Sequence, residues 1–229
     1  MQCVILAAGR GTRMGELTNN TPKPMICVLG LPLLAHKIRL LPEGVEEVIL
    51  VVGYKKEIIQ DYFGTKWNGK KITYVEQTEL NGTAGAIYLV KDIVRERFLV
   101  TMGDDLYHPD DIEKIMHYPL ALLGYHTQDA SAFGLVTVDE RHHLAGVVER
   151  PHELGEGLVN TGAYVLSTDF FTYPPVKISE TEYGLPQTLV VMGQKHPVQV
   201  KVTRRWLPVG NPQDLALAEQ FLRAISQDQ

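Results

Sequence analysis

The feature that most constrains the fold is a pair of short runs made almost entirely of apolar residues. Residues 3–8 read CVILAA and residues 48–53 read VILVVG, with no polar residue alternating through either run. A strand at a half-exposed surface alternates apolar and polar residues, whereas a strand buried on both faces forms a continuous apolar run. Strands of the second kind belong to parallel sheets covered by helices. The two runs therefore predict two buried strands of a parallel sheet.

Helical and strand patterns alternate along the first half of the chain. Helices are predicted at residues 33–41, 55–63 and 83–94, and further strands at residues 71–76 and 98–101. The apolar residues of the third helix share one face; they are Ala86, Ile87, Val90, Ile93 and Val94. This alternation predicts an α/β fold with a mostly parallel sheet, whose ligands bind beyond the carboxyl ends of the strands.

The second half of the chain is richer in strand patterns. Asn211 is a favourable helix N-cap and Pro212 suits the first helical position, so a last helix is expected to start there. No linker separates the halves, and we expect one domain over residues 1–229. Its nucleotide-binding half would cover about residues 1–118 and its acceptor-binding half about residues 119–229. The strands predicted here are 121–125, 134–138, 144–149 and 159–166, and the residues that the last helix should bury are Leu215, Ala218, Leu222 and Ile225.

Charge and composition argue against several functional classes. The formal net charge of −5 provides no basic field, so no nucleic-acid partner is expected. No apolar stretch reaches ~18 residues and no basic segment precedes the first apolar run, so neither a membrane partner nor a signal peptide is expected, and a cytoplasmic location follows. Cys3 and Cys27 form no CxxC pair and the histidines form no HExxH motif. A disulfide framework and a zinc site are therefore not expected.

A glycine-rich loop, residues 9–15, follows the first predicted strand. Gly9 and Gly11 allow backbone amides to approach phosphate oxygens closely, and successive N–H groups can form an anion-binding concavity. The loop does not fit GxGxxG, because Met14 stands at the third glycine, and it lacks the GK[ST] of a P-loop. Taken alone, the loop leaves both phosphate binding and a plain turn open.

Lys23 lies between two prolines in the segment TPKPM, residues 21–25. Each proline fixes its own φ and restricts the residue before it, so Lys23 is expected in a stiff, extended segment that aims its charge. We expect Lys23 and Arg13 to lie in a polar loop outside the core.

These motifs together resemble the signature of the sugar-phosphate nucleotidylyltransferases. That family includes glucose-1-phosphate thymidylyl-, mannose-1-phosphate guanylyl- and N-acetylhexosamine-1-phosphate uridylyltransferases. The resemblance implies a Rossmann-like three-layer α/β/α fold with a mostly parallel mixed central sheet, of the nucleotide-diphospho-sugar transferase type. It covers nearly the whole chain, through residues 6–9, 11–14, 21–25, 81–86, 103–104, 149–151, 160–162 and 206–215.

The resemblance implies transfer of a nucleoside monophosphate from an NTP to a sugar 1-phosphate, which gives an NDP-sugar and pyrophosphate. Such a reaction depends on positioning and charge neutralisation more than on a protein nucleophile. By resemblance, Arg13 would hold the leaving pyrophosphate, Lys23 would contact the reacting phosphates, and Asp104 would complete the catalytic set. The residues expected to bind nucleotide are Leu6, Ala7, Ala8, Gly9, Gly11, Thr12, Arg13, Gln77, Gly82 and Thr83.

The resemblance also implies a Mg²⁺ cofactor. Asp104, in the segment Gly-Asp-Asp, matches the family's metal ligand, and Mg²⁺ prefers oxygen ligands that it shares with phosphates. The family's second ligand is expected within residues 206–212, which read WLPVGNP. Pro208 stands at that position and cannot bind a metal. Asn211 is the substitute to consider, although its helix-capping role already explains it.

For the base, the family uses a Gln or Glu at the position of Gln77. A glutamine amide offers a donor and an acceptor, which suits the imide edge of uracil or thymine, so UTP or dTTP is favoured. The alternative is a solvent-facing glutamine at a strand end. The residues that match sugar-phosphate positions are Gly134, Glu149, Arg150, Asn160 and Glu182.

Two other functions remain open. One is a cytidylyl-type transferase acting on a small molecule such as phosphocholine, which an aromatic cage would mark; no clear aromatic cluster is visible in the sequence. The other is a non-catalytic protein that binds nucleotide or sugar phosphate, which Pro208 motivates. The sequence leaves a homo-oligomer open, and it shows no hexapeptide repeats, so the acyltransferase domain fused to some family members is not expected.

Overall fold

The computed structural model describes residues 1–149 and 155–227. No helix in these two ranges combines the length and the apolar character needed to cross a lipid bilayer. The strands, numbered along the chain, are β1 (Gln2–Ala7), β2 (Cys27–Val28), β3 (Leu31–Pro32), β4 (Glu47–Val52), β5 (Lys66–Trp67), β6 (Lys70–Glu76), β7 (Arg97–Met102), β8 (Asp105–Tyr107), β9 (Ala121–Thr127), β10 (Gly134–Val138), β11 (Leu144–Glu149), β12 (Gly157–Ser167), β13 (Val176–Lys177), β14 (Tyr183–Gly184), β15 (Gln199–Thr203) and β16 (Trp206–Pro208). The α-helices are α1 (Leu33–Leu40), α2 (Lys56–Phe63), α3 (Gly82–Tyr88), α4 (Pro109–Met116), α5 (Leu185–Gly193) and α6 (Asp214–Gln227).

A mixed sheet forms the centre of the described part of the chain. Its first half is parallel, because β1 pairs in parallel with β4 and β7, and β4 pairs in parallel with β6. Its second half is mainly antiparallel, because β12 runs against β7, β9 and β10, while β15 returns parallel to β9. This topology confirms the predicted α/β class and mixed sheet, and the strand-rich second half supplies the antiparallel pairs.

Helices cover both faces of the sheet. Cys3 and Ile5 of β1 pack on one face with residues of α1, α2 and α4. Val4, between them, packs on the opposite face with residues of α3 and α5. All three side chains are fully buried. The predicted three-layer α/β/α arrangement is therefore confirmed, and burial on both faces explains the continuous apolar runs in the sequence.

A further apolar cluster joins the C-terminal helix to the loops around the site. Ala218 and Leu222 of α6 pack with Met14 in the glycine loop, with Ile26, and with Val209 after β16. All five residues are buried. The helix α6 therefore supports two loops that are far apart in the sequence.

The helix α3 is shorter than predicted. It ends at Tyr88 rather than at residue 94. Residues 89–94 continue as turns, in which the Val90 N–H donates to the Ile87 carbonyl at 3.1 Å. This tighter spacing suits a segment with several β-branched residues, which disfavour long α-helix. The predicted inward residues Val90 and Val94 are still buried.

The helix α6 begins later than predicted, at Asp214 rather than at Pro212. The reason is a turn around Asn211, whose Oδ1 accepts from the backbone N–H groups of Gln213 at 2.9 Å and Asp214 at 3.3 Å. Asn211 therefore caps this turn, three residues before the first residue of α6. Leu215 is only partly buried, whereas the other three predicted inward residues of α6 are buried.

The prediction that Lys23 is extended and outside the core is wrong. Lys23–Met25 forms a 3₁₀ turn, closed by the Met25 N–H donating to the Pro22 carbonyl at 2.8 Å. Pro24 fits this turn because the first residues of a helical turn need no intrahelical acceptor for their N–H groups. The extended conformation is kept by Pro22 before the turn and by Ile26 after it. The turn directs Lys23 inward, where the residue is 5% exposed.

Candidate active site

A cavity of about 310 Å³, called here the first cavity, opens at the carboxyl ends of β1 and β7. Ligands of open α/β sheets bind at this edge. Most residues predicted to bind nucleotide surround it, and Thr12 and Arg13 are the exceptions. The lining consists of Leu6, Ala7, Ala8, Gly9, Gly11, Lys23, Pro24, Gln77, Leu80, Gly82, Thr83, Ala86, Met102, Gly103, Asp104 and Glu182.

A second cavity of about 430 Å³ shares Met102 and Asp104 with the first. The two cavities therefore meet at the predicted metal ligand. Arg13 lies in this second cavity, whereas Gly9 and Gly11 of the same loop line the first. The rest of its lining consists of Asp105, Ala132, Phe133, Asn160, Thr161, Gly162, Trp206, Pro208, Val209, Gly210, Asn211 and Asp214.

The glycine loop lies against Lys23 at a distance that only glycine allows. Gly11 has a φ of +66°, and a Cβ atom there would lie 2.6 Å from the Lys23 Cβ. A side chain at this position would displace Lys23 from the cavity. Gly9 has no heavy atom within 4 Å of the place of its missing Cβ, which leaves the loop backbone open to a ligand.

Lys23 and Asp104 form an ion pair where the two cavities meet. The Lys23 Nζ lies 2.7 Å from the Asp104 Oδ2. The lysine side chain is 6% exposed and the aspartate side chain 38%, so the lysine is shielded while the carboxylate stays open to the cavities. The predicted phosphate-binding cation and the predicted metal ligand are therefore in direct contact.

Gln77 is buried in the first cavity, with 7% of the residue exposed. Its backbone N–H donates to the Val52 carbonyl at 2.8 Å. Its side-chain Nε2 donates to the Asn81 Oδ1 at 3.2 Å. The alternative of a solvent-facing glutamine at a strand end is therefore excluded.

The start of α3 is joined to the segment that precedes α5. Gly82 has a φ of +90°, and a Cβ atom there would lie 2.4 Å from the Tyr183 carbonyl oxygen. The Tyr183 N–H donates to the Asn81 carbonyl at 2.9 Å, and the Leu185 N–H donates to the Thr83 Oγ1 at 3.0 Å. One edge of the first cavity is thereby fixed to the second half of the chain.

The place of the family's second metal ligand is occupied by Pro208. It pairs with Asp105 across the β16–β8 ribbon, and the next residue, Val209, donates its N–H to the Asp104 carbonyl at 3.2 Å. Asn211, the substitute considered above, lines the second cavity, and its Oδ1 accepts from the two backbone N–H groups described above. The described residues contain no group of three His, Cys, Asp or Glu side chains placed to hold a metal.

A buried carboxyl and a buried amine lie beside Asp104, and sequence reasoning missed both. The Asp105 Oδ2 accepts from the Trp206 Nε1 at 3.3 Å and the Tyr107 hydroxyl at 3.4 Å. Burial, reinforced by the charge of Asp104, raises the pKa of Asp105 to about 7. Burial lowers the pKa of Lys37 to about 8, against the attraction of Asp105. The Lys37 Nζ lies 4.3 Å from the centroid of the Tyr107 ring.

Two aromatic rings that lie far apart in the sequence, Phe133 and Trp206, line the second cavity. Phe133 and Trp206 are in edge contact with centroids 5.2 Å apart, and Tyr125 packs on Trp206 at 5.6 Å. Trp206 is 8% exposed and its Nε1 bonds to a buried carboxylate. The cluster therefore serves mainly as packing, and two rings in edge contact do not enclose a cation.

The residues predicted to bind sugar phosphate fall in different places. Gly134 and Glu149 lie directly opposite each other in the β10–β11 pair. Asn160 lies in the second cavity, whereas Glu182 lies in the first. Arg150 lies outside the described residues. The structure thus groups three of these residues in the second half of the sheet and separates Glu182 from them.

Thr12 lies in neither cavity. It lines a separate depression with Arg10 and Tyr54. The Arg10 guanidinium lies 5.2 Å from the centroid of the Tyr54 ring, and the Tyr54 hydroxyl donates to the Thr18 carbonyl at 3.0 Å. Tyr54 therefore anchors the glycine loop, a role that no sequence motif indicated.

Known proteins resemble this chain over nearly its full length. The family model for Nucleotidyl transferase matches residues 2–225. The chain is 32% identical over 235 residues to the UTP–glucose-1-phosphate uridylyltransferase AglF of Haloferax volcanii, which covers 97% of each protein. It is 35% identical over 225 residues to the bifunctional protein GlmU of Methanocaldococcus jannaschii, covering 97% of this chain but 54% of that relative. The chain thus spans about half the length of the GlmU relative.

A solved structure supports the same relationship. HddC from Yersinia pseudotuberculosis, complexed with GMP-PN, superposes with a TM-score of 0.72 at 28% identity, over 96% of this chain and 98% of HddC. The family predicted from the glycine loop and the TPKPM segment is therefore confirmed. This chain belongs to the Nucleotidyl transferase family.

Proposed function

We propose that the chain transfers a nucleoside monophosphate from an NTP to a sugar 1-phosphate, giving an NDP-sugar and pyrophosphate. The observation that carries this proposal is the meeting of two cavities at Asp104, where Lys23 is held on the same carboxylate. A reaction between two phosphorylated substrates needs both sets of phosphates beside one such point of charge. The name of AglF, a uridylyltransferase that uses glucose 1-phosphate, supports this class of reaction.

In the proposed reaction, an oxygen of the acceptor phosphate attacks the α-phosphorus of the NTP. A new P–O bond forms, the bond from the α-phosphorus to the bridging oxygen breaks, and pyrophosphate leaves with that electron pair. Lys23 neutralises charge at the α-phosphate, and Arg13 neutralises the leaving pyrophosphate. The backbone N–H groups of the glycine loop, residues 9–15, orient the triphosphate. No protein nucleophile is required.

We also propose Mg²⁺ as the cofactor, with Asp104 as its protein ligand. When bound, Mg²⁺ would neutralise the phosphates and fix their relative geometry. The open carboxylate of Asp104 fits this role, since its side chain is 38% exposed. Because Pro208 adds no ligand, phosphate oxygens and water would complete the octahedral shell, which Mg²⁺ accepts.

UTP or dTTP is the proposed nucleotide, on the basis of Gln77. Asn81 accepts one hydrogen of the Gln77 Nε2, which leaves the second hydrogen and the Oε1 for the imide edge of the base. Relatives differ in their nucleotide, since AglF is named for UTP and HddC was solved with GMP-PN.

On the acceptor side, we propose that the sugar phosphate contacts Gly134, Glu149, Arg150, Asn160 and Glu182. NTPs and sugar phosphates are cytoplasmic metabolites, and we propose that compartment for the reaction.

A panel of NTPs and dTTP, each combined with several sugar 1-phosphates and with phosphocholine, tests the proposal. Pyrophosphate release in the presence of Mg²⁺ is measured. We expect release from UTP or dTTP with a sugar 1-phosphate. Release only from CTP with phosphocholine would instead support the cytidylyl alternative. The aromatic residues that line the second cavity, and could contact the choline group, are Phe133 and Trp206. Folded protein that binds NTP but releases no pyrophosphate in any combination would support a non-catalytic binding protein.

A further inference from the structure

Glu149 and Gln187 form a hydrogen-bonded pair in the second half of the molecule. The Gln187 Nε2 donates to the Glu149 Oε1 at 2.9 Å. Glu149 is the last residue of β11, and Gln187 lies in the first turn of α5. Glu149 was predicted to contact the sugar, whereas no sequence motif pointed to Gln187.

The side-chain amide of Gln187 is held in one orientation. Its Oε1 is buried and has no hydrogen-bond partner among the described residues. This oxygen lies against Gly184, where an added Cβ atom would be 1.8 Å away. Leaving an amide oxygen unpaired is unfavourable, and the charge-assisted bond from the Nε2 to a carboxylate offsets that cost. The orientation therefore serves the bond to Glu149.

The carboxylate of Glu149 lies over Gly134, a second residue proposed to contact the sugar. A Cβ atom on Gly134 would lie 3.2 Å and 3.4 Å from its two oxygens, so the carboxylate rests over a residue without a side chain. Asn160, which lines the second cavity, donates its Nδ2 to the Tyr164 hydroxyl at 2.6 Å. Burial raises the pKa of Tyr164, and the charge of Glu149 adds to that shift. Glu149 and Asn160 therefore both lie near Tyr164.

The helix that carries Gln187 has a fixed start. The Leu185 N–H donates to the Thr83 Oγ1 at 3.0 Å, and Thr83 lines the first cavity. Gln187 follows Leu185 by one helical half-turn. The position of Gln187 is therefore set by a contact with Thr83, which forms part of the edge of the first cavity.

We infer that Gln187 is a positioning residue, which holds Glu149 in the orientation that accepts a hydrogen bond from a hydroxyl of the acceptor sugar. With its Oε1 engaged by Gln187, Glu149 keeps its Oε2 for that hydroxyl. The inference rests on the proposed function, in which Glu149 contacts the sugar. The inference restricts the acceptor substrate to phosphorylated molecules that have a hydroxyl group placed to donate to the Glu149 Oε2.

The test is the steady-state kinetics of Gln187→Leu, which keeps the volume but removes the amide. We expect the KM for the sugar 1-phosphate to rise about tenfold, as for the loss of a hydrogen bond to a charged group. The KM for the NTP and the melting temperature should stay unchanged. Gly184→Ala displaces the Gln187 amide without altering it, and should reproduce the effect. Gln194→Leu, a matched change at the exposed end of α5, should have none.

A double-mutant cycle with Glu149→Ala separates positioning from a general structural role. If Gln187 acts through Glu149, Gln187→Leu adds no further rise in KM in the Glu149→Ala background. An unchanged KM for the sugar 1-phosphate in Gln187→Leu overturns the inference alone, as does an effect that persists in full without Glu149. Wild-type protein that releases no pyrophosphate with any sugar 1-phosphate overturns the proposed function, and the inference with it.

Discussion

The first cavity and the proposed sugar region, which contains Gly134 and Glu149, are built in different ways. Residues of the first cavity follow the ends of parallel strands: Ala8 follows β1, Gln77 follows β6 and Gly103 follows β7. Parallel strands bring their carboxyl ends to one edge, so short motifs after each strand converge there. Gly134 and Glu149 instead meet because β10 and β11 are antiparallel, which places the start of one strand beside the end of the next. Short motifs after consecutive strands therefore indicate how the first cavity is assembled, whereas strand pairing is needed to show that Gly134 and Glu149 are neighbours.

Burial also differs between the two regions. Lys23 and Gln77 are 5% and 7% exposed, while Glu149 is exposed. Polar groups that are shielded from water interact more strongly with a ligand, and leaving them unpaired costs more. We therefore expect substitutions around the first cavity to have larger effects than substitutions near Gly134 and Glu149, and the following variants test that difference when they are compared with Gln187→Leu.

Asp104→Asn should have the largest effect, because Asp104 belongs to both cavities. The change removes the charge that would anchor Mg²⁺ and that pairs with Lys23, while keeping the shape. We expect turnover to fall by at least about 100-fold, as measured by pyrophosphate release at saturating Mg²⁺. The exposed Asp92→Asn is the matched control and should behave as wild type. Near wild-type turnover of Asp104→Asn would show that Asp104 does not hold the metal.

Lys23→Met should lower turnover by about 50-fold, since it removes one preorganised cation at the reacting phosphate but keeps the length of the side chain. The melting temperature should be maintained, because methionine fills the buried space. Lys56→Met, which removes a lysine paired with Glu76 outside both cavities, is the control. A rise in the KM for sugar 1-phosphate without any change for the NTP would contradict the assignment of Lys23 to the nucleotide.

Gln77→Glu should weaken the use of UTP and dTTP by about 1–3 kcal/mol in kcat/KM, because a carboxylate offers acceptors only and leaves base and Asn81 mispaired. The KM for the sugar 1-phosphate should not change, which would sharpen the contrast between the two regions. The exposed Gln194→Glu serves as control. An unaltered preference among NTPs would mean that Gln77 does not read the base.

Pro208→Asp should have the smallest effect and a favourable direction. An added carboxylate beside Asp104 would lower the Mg²⁺ concentration needed for half-maximal activity by about 3-fold, if the backbone accepts the loss of the proline φ. Wild type should bind Mg²⁺ weakly without nucleotide, because Lys23 already occupies an oxygen of Asp104. Pro208→Ala controls for the backbone change. Tight Mg²⁺ binding by nucleotide-free wild type would contradict the model of one protein carboxylate.

The parallel core was predictable because its signal is local. The strand predicted at residues 48–53 is Glu47–Val52, and the strand predicted at residues 98–101 is Arg97–Met102. Burial on both faces imposes an apolar run whatever lies around it. Lys23 shows the limit of local reasoning. A local 3₁₀ turn directs it inward, and the partner of its ion pair, Asp104, lies 81 residues away.

Other parts of the site could not be predicted because their meaning depends on partners distant in sequence. Lys37 lies in α1 between His36 and Ile38, and only the fold places it near Asp105. Phe133 and Trp206 meet only through the tertiary structure. Gln187 belongs to no sequence motif, and its proposed role depends entirely on its hydrogen bond to Glu149. Sequence reasoning found the residues that belong to contiguous motifs and missed those that support them.

The contact between Gly82 and Tyr183 has a consequence for anyone who wishes to redesign substrate choice. A Cβ atom at Gly82 would lie 2.4 Å from the Tyr183 carbonyl oxygen, so the backbone at Gly82 cannot be changed without moving the start of α5. Moving that helix shifts Gln187 as well. Backbone changes around Gly82 should therefore affect the use of both substrates, whereas a side-chain change such as Gln77→Glu should affect the nucleotide alone. Libraries that diversify residues 81–83 together with residues 182–187 should contain more active variants than libraries that diversify either segment alone.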